Sequence, residues 1–238
     1  MNYAFPIPAT ASVPIVGTDC HFPVRRIYCV GRNYAEHARE MGFDPEREPP
    51  FFFTKPADAI VSNGATIPYA LATDNLHHEI ELVVALGRGG VHIRRDAALD
   101  HVYGYAVGID MTRRDLQLAA RDKGRPWDVG KAFDQSAPIS AIRRATEIGH
   151  PESGAIRLSV NGVERQSSDL KQLLWPVADL IVELSRLFAL QPGDLIYTGT
   201  PAGVGPVRPG DELRGHIERV GEISIRIAAR GSDGEGGE

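Results

Sequence analysis

Apolar residues in this chain recur at alternate positions or in short unbroken runs, and seldom at helical spacing, so strands should dominate. Residues 26–30 (RIYCV) read as a buried strand broken by Gly31, and residues 51–53 (FFF) begin another. Residues 79–86 (EIELVVAL) are strand-like and stop at Gly87 and the Gly89-Gly90 pair. Residues 102–110 (VYGYAVGID) alternate cleanly. Gly104, Ala106, Gly108 and Asp110 share one face, where small side chains let a backbone or a ligand come close. Asn161-Gly162 is a hairpin turn, and residues 223–227 (ISIRI) are a last strand. Three segments read as helices. Asn33 is an N-cap candidate with Glu36 as its capping-box partner and Gly42 as the stop. Residues 112–122 have helical composition. Residues 175–190 place Val177, Leu180, Ile181, Leu184, Leu187 and Phe188 on one stripe, with Pro176 in the first turn. Many short strands with few helices do not match β-α alternation. The expected fold class is α+β, a β-rich fold with mixed or antiparallel sheets.

Composition narrows the setting. With 42% hydrophobic residues in 238, the chain can bury a real core. Its net charge of −5 and scattered basic residues do not form the basic stripe of a nucleic-acid binder. Cys20 and Cys29 alone make no disulfide scaffold and suit a reducing cytosol. The start of the chain lacks a basic region followed by an apolar run, and no run approaches the ~18 apolar residues of a membrane helix. A cytoplasmic protein with no membrane and no nucleic-acid partner is expected. Residues 1–24, rich in Pro and small residues, read as an arm; 25–230 read as one domain, and 231–238 as a disordered tail.

The chemistry concentrates in the apolar segments. Glu79 and Glu81 point to one side of a strand that is otherwise apolar on both faces, and Asp110 ends a second apolar strand. An acidic pair on a strand usually marks a solvated face, and Asp110 alone could cap the following helix. Buried carboxylates need partners or a cation, and oxygen-only donors suit a hard metal. Arg114 and Gln117 follow Asp110 at helical spacing and can face one pocket, with Arg121 a further step along. Lys131 lies in a glycine-punctuated loop of the kind that forms lids, although a loop lysine is most often solvated. His37 and Glu40, three apart, form either a surface ion pair or a histidine–carboxylate base. His77 and His78 face opposite ways and cannot readily share one ion. The backbone of residues 198–201 (TGTP), with Gly199 and Thr200, could cradle an anion.

The ordered motifs Gly31-Arg32-Asn33-Tyr34, Phe53-Thr54-Lys55-Pro56, Glu79-x-Glu81, Gly108-x-Asp110-x-Thr112-x-Arg114, Lys131-x-Phe133-Asp134 and Thr198-Gly199-Thr200-Pro201 resemble the fumarylacetoacetate hydrolase family over nearly the whole chain. The resemblance implies that 25–230 is a catalytic domain folded as a mixed-sheet sandwich or roll, working as a homodimer. It implies Mg²⁺ or Mn²⁺, with Ca²⁺ an occupant possible in a crystal, held by Glu79, Glu81 and Asp110. It assigns water activation to His37 and Glu40, and places Arg114, Gln117 and Lys131 around the reacting oxygens. Thr200 and Gly199 would hold the substrate carboxylate. Arg32, Arg121 and Arg125 are the candidates for a distal carboxylate. The implied activity is hydrolysis of the C–C bond of an acylpyruvate, with fumarylpyruvate split to fumarate and pyruvate in gentisate-type aromatic catabolism. Oxaloacetate decarboxylation, dienol-diacid isomerisation and a non-catalytic ligand-binding role are the alternatives.

Overall fold

The computed structural model of the chain describes residues 2–36 and 49–228. A mixed eight-stranded sheet organises it. Along one path its strands run Phe51–Lys55, Arg26–Gly31, Asp194–Tyr197, Ile80–Leu86, Val102–Ile109, Ala137–Ile139 and Ile60–Ser62, and Arg143–Arg144 also pairs with Val102–Ile109. Asp194–Tyr197 runs parallel to Arg26–Gly31, whereas Ile80–Leu86 is antiparallel to both its neighbours. A five-stranded sheet orders Val163–Asp169, Ala155–Val160, Glu212–Ile217, Gly221–Ile227 and Thr66–Ile67. A three-stranded sheet joins Thr112–Arg113, Leu76–His78 and Gly205–Pro206. This is the β-rich α+β fold that the alternation suggests.

All seven residues of Ile80–Leu86 are buried, as a central strand covered on both faces requires. Its two faces feed different cores. Ile80, Leu82, Val84 and Leu86 join the cluster that includes the five-stranded sheet and the helix Val177–Leu187. Val83 and Ala85 join a second cluster with Ile27, Cys29, Ala106, Leu195 and Tyr197. That second cluster also takes Val13 and Phe22 from the hairpin Ser12–Pro14 and His21–Pro23. Ahead of the hairpin, Tyr3, Phe5 and Ile7 are exposed.

Several expectations shift by a few residues. Val177, Leu180, Ile181 and Leu184 are buried on the long helix as their spacing predicts, but Leu187 is exposed and Phe188 has left the helix. Phe188 is extended, and its ring lies 5.0 Å from that of Tyr28. The helix expected over 112–122 begins at Arg114, because Thr112 and Arg113 pair as a strand with His77 and Leu76. The Asn33 side chain bonds across the fold. Its Nδ2 donates to the carbonyls of Trp175 and Thr198, and its Oδ1 accepts from the Trp175 amide at 2.7 Å. Asn33 therefore ties three loops together from a fully buried position. Gly42 lies outside the described residues.

Candidate metal centre and active-site cavity

Register and side-chain parity bring the three carboxylates together. Glu81 stands opposite Gly108, Ile80 stands opposite Ile109, and the Asp110 amide donates to the Glu79 carbonyl at 2.8 Å. Odd positions on one strand and even positions on the other share the face of the second core cluster, so Glu79, Glu81 and Asp110 converge where that core ends. Their oxygens lie within 4.8 Å of one another and all three residues are buried. Gly108 makes room for the convergence, since a Cβ there would stand 2.5 Å from both Tyr197 and Val83.

Three buried cations face this trio. Lys131 Nζ donates to Glu79 Oε2 at 2.9 Å, to Asp110 Oδ2 at 2.6 Å and to Thr112 Oγ1 at 2.6 Å, which engages every proton of an ammonium. Burial works against the charged lysine, but Asp110 and Glu79 outweigh it and raise its pKa. Lys55 Nζ lies 2.8 Å from Asp110 Oδ1 and also donates to the carbonyls of Met111 and Lys131. Arg114 pairs with Glu79 through Nη2, donates to Gln117 Oε1 through Nη1, and reaches His77 Nδ1 at 3.4 Å through Nε. Burial and then Arg114 lower the pKa of His77 to about 4, so His77 is a neutral acceptor for the guanidinium.

Glu81 is different. Its hydrogen bond comes from the Gly199 amide at 2.8 Å, and among the described residues it has no ion-pair partner. Burial first, then the charges of Asp110 and Glu79, push its carboxyl well above the usual carboxylate range. A buried, unpaired carboxylate beside two others is a site in want of a cation. Three carboxylate oxygens, with no nitrogen or sulfur donor among the described residues, fit Mg²⁺, Mn²⁺ or Ca²⁺ better than Zn²⁺.

The turn 198–201 supplies that amide. Gly199 has φ +97°, and a Cβ on it would stand 2.7 Å from the Asn33 Cβ. The anion it cradles in this fold is Glu81 itself, so the Gly199 amide is already engaged. Thr200, buried at 2% exposure, lines the neighbouring cavity together with Glu79, Glu81, Arg114, Gln117 and Lys131. Arg32 and Arg121 line it too, with Phe53 and Trp127. Arg125, one residue beyond the turn that ends the helix Arg114–Asp122, is exposed and stands apart from this cavity's lining. His37 and Glu40 lie outside the described residues.

The two segments that carry Gln117 and Lys131 are packed tightly. Lys131 ends a short helix, Asp128–Lys131, inside the segment expected to be loop. At Gly130 a Cβ would stand 2.8 Å from the Gln117 backbone nitrogen, so the two backbones touch. Trp127 stacks edge-on to Phe51 at 4.8 Å and lies 5.9 Å from Phe53, closing the apolar side. The Gln117 amide has a defined orientation. Its oxygen faces Arg114, so its Nε2 is the group left to donate into the cavity.

Sequence reasoning did not single out Lys55, Thr112 or Trp127 as site residues. Lys55 had a signal, since it is the charged residue that closes the apolar run of Phe51–Lys55. Thr112 stands in the Gly108-x-Asp110-x-Thr112-x-Arg114 motif, but its role depends on where Lys131 returns.

The chain that gathers these three carboxylates on a mixed sheet belongs to a known family: residues 26–228 match the family described as "Fumarylacetoacetate (FAA) hydrolase C-terminal". Among curated relatives, a fumarylpyruvate hydrolase from Ralstonia sp is 49% identical over 184 residues, covering 77% of this chain and 95% of that protein. A mitochondrial oxaloacetate tautomerase from Mus musculus is 40% identical, covering 88% of this chain and 93% of that protein. Among solved structures, the fumarylpyruvate hydrolase of Pseudomonas aeruginosa in complex with Mn²⁺ and pyruvate superposes with a TM-score of 0.93 at 56% identity, covering 96% of this chain and 100% of that chain.

Proposed function

We propose that this chain is a divalent-metal-dependent hydrolase of the C–C bond of an acylpyruvate, with fumarylpyruvate as substrate and fumarate and pyruvate as products. The observation that carries the reading is the buried carboxylate trio beside a cavity walled by Arg114, Gln117 and Lys131, in a chain 56% identical to an enzyme crystallised with Mn²⁺ and pyruvate. Glu79, Glu81 and Asp110 would hold Mg²⁺ or Mn²⁺, which supplies Lewis-acid stabilisation of the enolate charge on the departing pyruvate unit.

The protein's own groups divide the remaining work. Thr200 binds the carboxylate at the pyruvoyl end. Arg121 and Arg32, both on the cavity wall, meet the far carboxylate, and we leave Arg125 out of that role because it stands outside the lining. His37, backed by Glu40, takes a proton from the attacking water. The water oxygen bonds to C4, and the C3–C4 bond breaks with its electron pair staying on C3 of pyruvate, which is then protonated. The hydroxyl ends up on fumarate, whose new carboxyl releases one proton. Gln117 Nε2 donates to the oxyanion at C4. Lys131, with its three protons engaged, contributes positive charge beside it. Arg114 fixes the amide of Gln117. Phe53 and Trp127 keep water from the apolar middle of the substrate.

The working state is a cytoplasmic homodimer. Among the described residues no helix is long and apolar enough to cross a membrane. The kinship to an oxaloacetate tautomerase supports a second reading, since its substrate also passes through an enol. The test is turnover by purified protein with Mn²⁺ or Mg²⁺ on fumarylpyruvate, oxaloacetate and a dienol diacid. Equimolar fumarate and pyruvate from the first is the expected result. Faster CO₂ release or tautomerisation from oxaloacetate, or an isomeric product from the dienol diacid, would replace the reading.

A further inference from the structure

Gln166 lies on the edge strand Val163–Asp169 of the five-stranded sheet, in a run (VERQSSD) that is polar after Val163, yet it is fully buried. Gly203 brings the Thr200 loop against it. At φ +92° a Cβ on Gly203 would stand 2.1 Å from the Arg165 carbonyl oxygen, so the loop reaches that strand only with glycine there. The Gln166 amide then makes four contacts. Its Oε1 lies 3.0 Å from the Ile80 amide and 2.9 Å from His78 Nδ1. Its Nε2 lies 2.9 Å from the Pro201 carbonyl and 2.7 Å from Thr200 Oγ1.

Two of these partners have no choice of role. A backbone N–H only donates and a carbonyl only accepts, so Ile80 and Pro201 fix which end of the amide is oxygen. The remaining roles follow. His78 Nδ1 must carry a proton, and Thr200 Oγ1 must accept from Nε2. A hydroxyl whose oxygen accepts still has its own proton to give. Among the described residues no acceptor takes it, and Thr200 borders the cavity that holds Glu79 and Glu81.

We infer that Gln166 is a positioning residue. It turns the Thr200 hydroxyl into a donor aimed at the cavity, where it meets the carboxylate of a 2-oxo acid. This rests on the reading of Thr200 as the carboxylate-binding residue. The same amide links Ile80, which stands between Glu79 and Glu81, to the Thr200 loop, so the anion donor keeps a fixed place relative to those carboxylates.

The test is calorimetric titration of oxalate, a small dianion resembling the pyruvate enolate, into Mn²⁺-loaded protein. Wild type, Thr200→Val, Gln166→Met and the double variant are compared, with KM and kcat measured on fumarylpyruvate in parallel. Each single substitution should weaken oxalate by about 10- to 100-fold and raise KM more than it lowers kcat. The double variant should bind no more weakly than Thr200→Val alone. Independent, multiplying losses, or wild-type binding by Gln166→Met while Thr200→Val is impaired, would overturn the inference and leave the reading of Thr200 intact. Wild-type binding by Thr200→Val would remove both. If Gln166→Met does not fold, ¹⁵N NMR of the wild-type protein decides. A proton on His78 Nδ1 is expected, and a proton on Nε2 alone refutes the amide orientation.

Discussion

Glu81→Gln separates the cost of the site from its use. Glu81 is 1% exposed, accepts from the Gly199 amide at 2.8 Å and has no ion-pair partner among the described residues. Its carboxyl is held well above the usual range by burial and by Asp110 and Glu79. A group whose folded pKa is raised keeps its proton to higher pH in the native state than in the unfolded chain. The metal-free fold therefore loses stability as pH rises from the unfolded value of about 4.3. Glutamine keeps the acceptor for Gly199 and removes the charge. Relief of one uncompensated buried charge is worth about 1–3 kcal/mol. For a chain of 238 residues, at about 2–4 °C per kcal/mol, metal-free Glu81→Gln should melt about 2–12 °C above wild type at pH 7. The gap should shrink toward pH 4. Manganese acts the other way. At a hundred times the wild-type Kd it adds about 2.7 kcal/mol to wild type, but only about 0.4 kcal/mol to a variant bound a hundredfold more weakly. Mn²⁺ should thus move the difference by about 5–9 °C in favour of wild type. Scanning calorimetry in chelator and in Mn²⁺ reads both numbers. A variant that melts below wild type in chelator, or that gains as much from Mn²⁺, refutes the argument.

Three further outcomes follow from the geometry. Gln117→Leu removes the donor that Arg114 orients, and kcat on fumarylpyruvate should fall about 10²- to 10³-fold with KM changed much less; an equal rise in KM would instead mark Gln117 as a binding residue. Arg121→Gln should raise KM for fumarylpyruvate by at least about tenfold and leave acetylpyruvate, which lacks the far carboxylate, unaffected; equal effects on both substrates would take Arg121 out of the distal site. Gly199→Ala forces a side chain into φ +97° and to 2.7 Å from the Asn33 Cβ. It should cost about 2–4 kcal/mol in a denaturant titration and weaken Mn²⁺ binding, and an unchanged midpoint would show that the turn yields without strain.

The carboxylate trio was legible because its signal is local. Acidic residues at alternate positions in an otherwise apolar strand are anomalous on sight, and parity alone places Glu79 and Glu81 on one face. Asp110 follows by the same reasoning on the neighbouring strand. The long helix was equally plain from its stripe, up to the point where Phe188 finds Tyr28 and the chain straightens. What could not be read depends on contacts between residues far apart in the chain. Asn33 has the chemistry of a helix cap, and only its 142-residue separation from Trp175 in sequence, closed in space, makes it a cross-link. Gln166 sits in a strand that is polar except for an exposed Val163, so no pattern marks it as buried. The choice among Arg32, Arg121 and Arg125 turns on where the chain bends after Asp122, which composition does not report.

The contact at Gly130 has a bearing on how such a site can change. With no side chain between them, the stretch that carries the ammonium and the helical turn that carries the amide are geared, and neither can move toward the other without displacing it. New substrates would be admitted by re-cutting the aromatic wall at Phe53 and Trp127 while this gear stays meshed. Any bulk inserted at position 130 would pry the pair apart and blunt every chemistry the scaffold hosts at once.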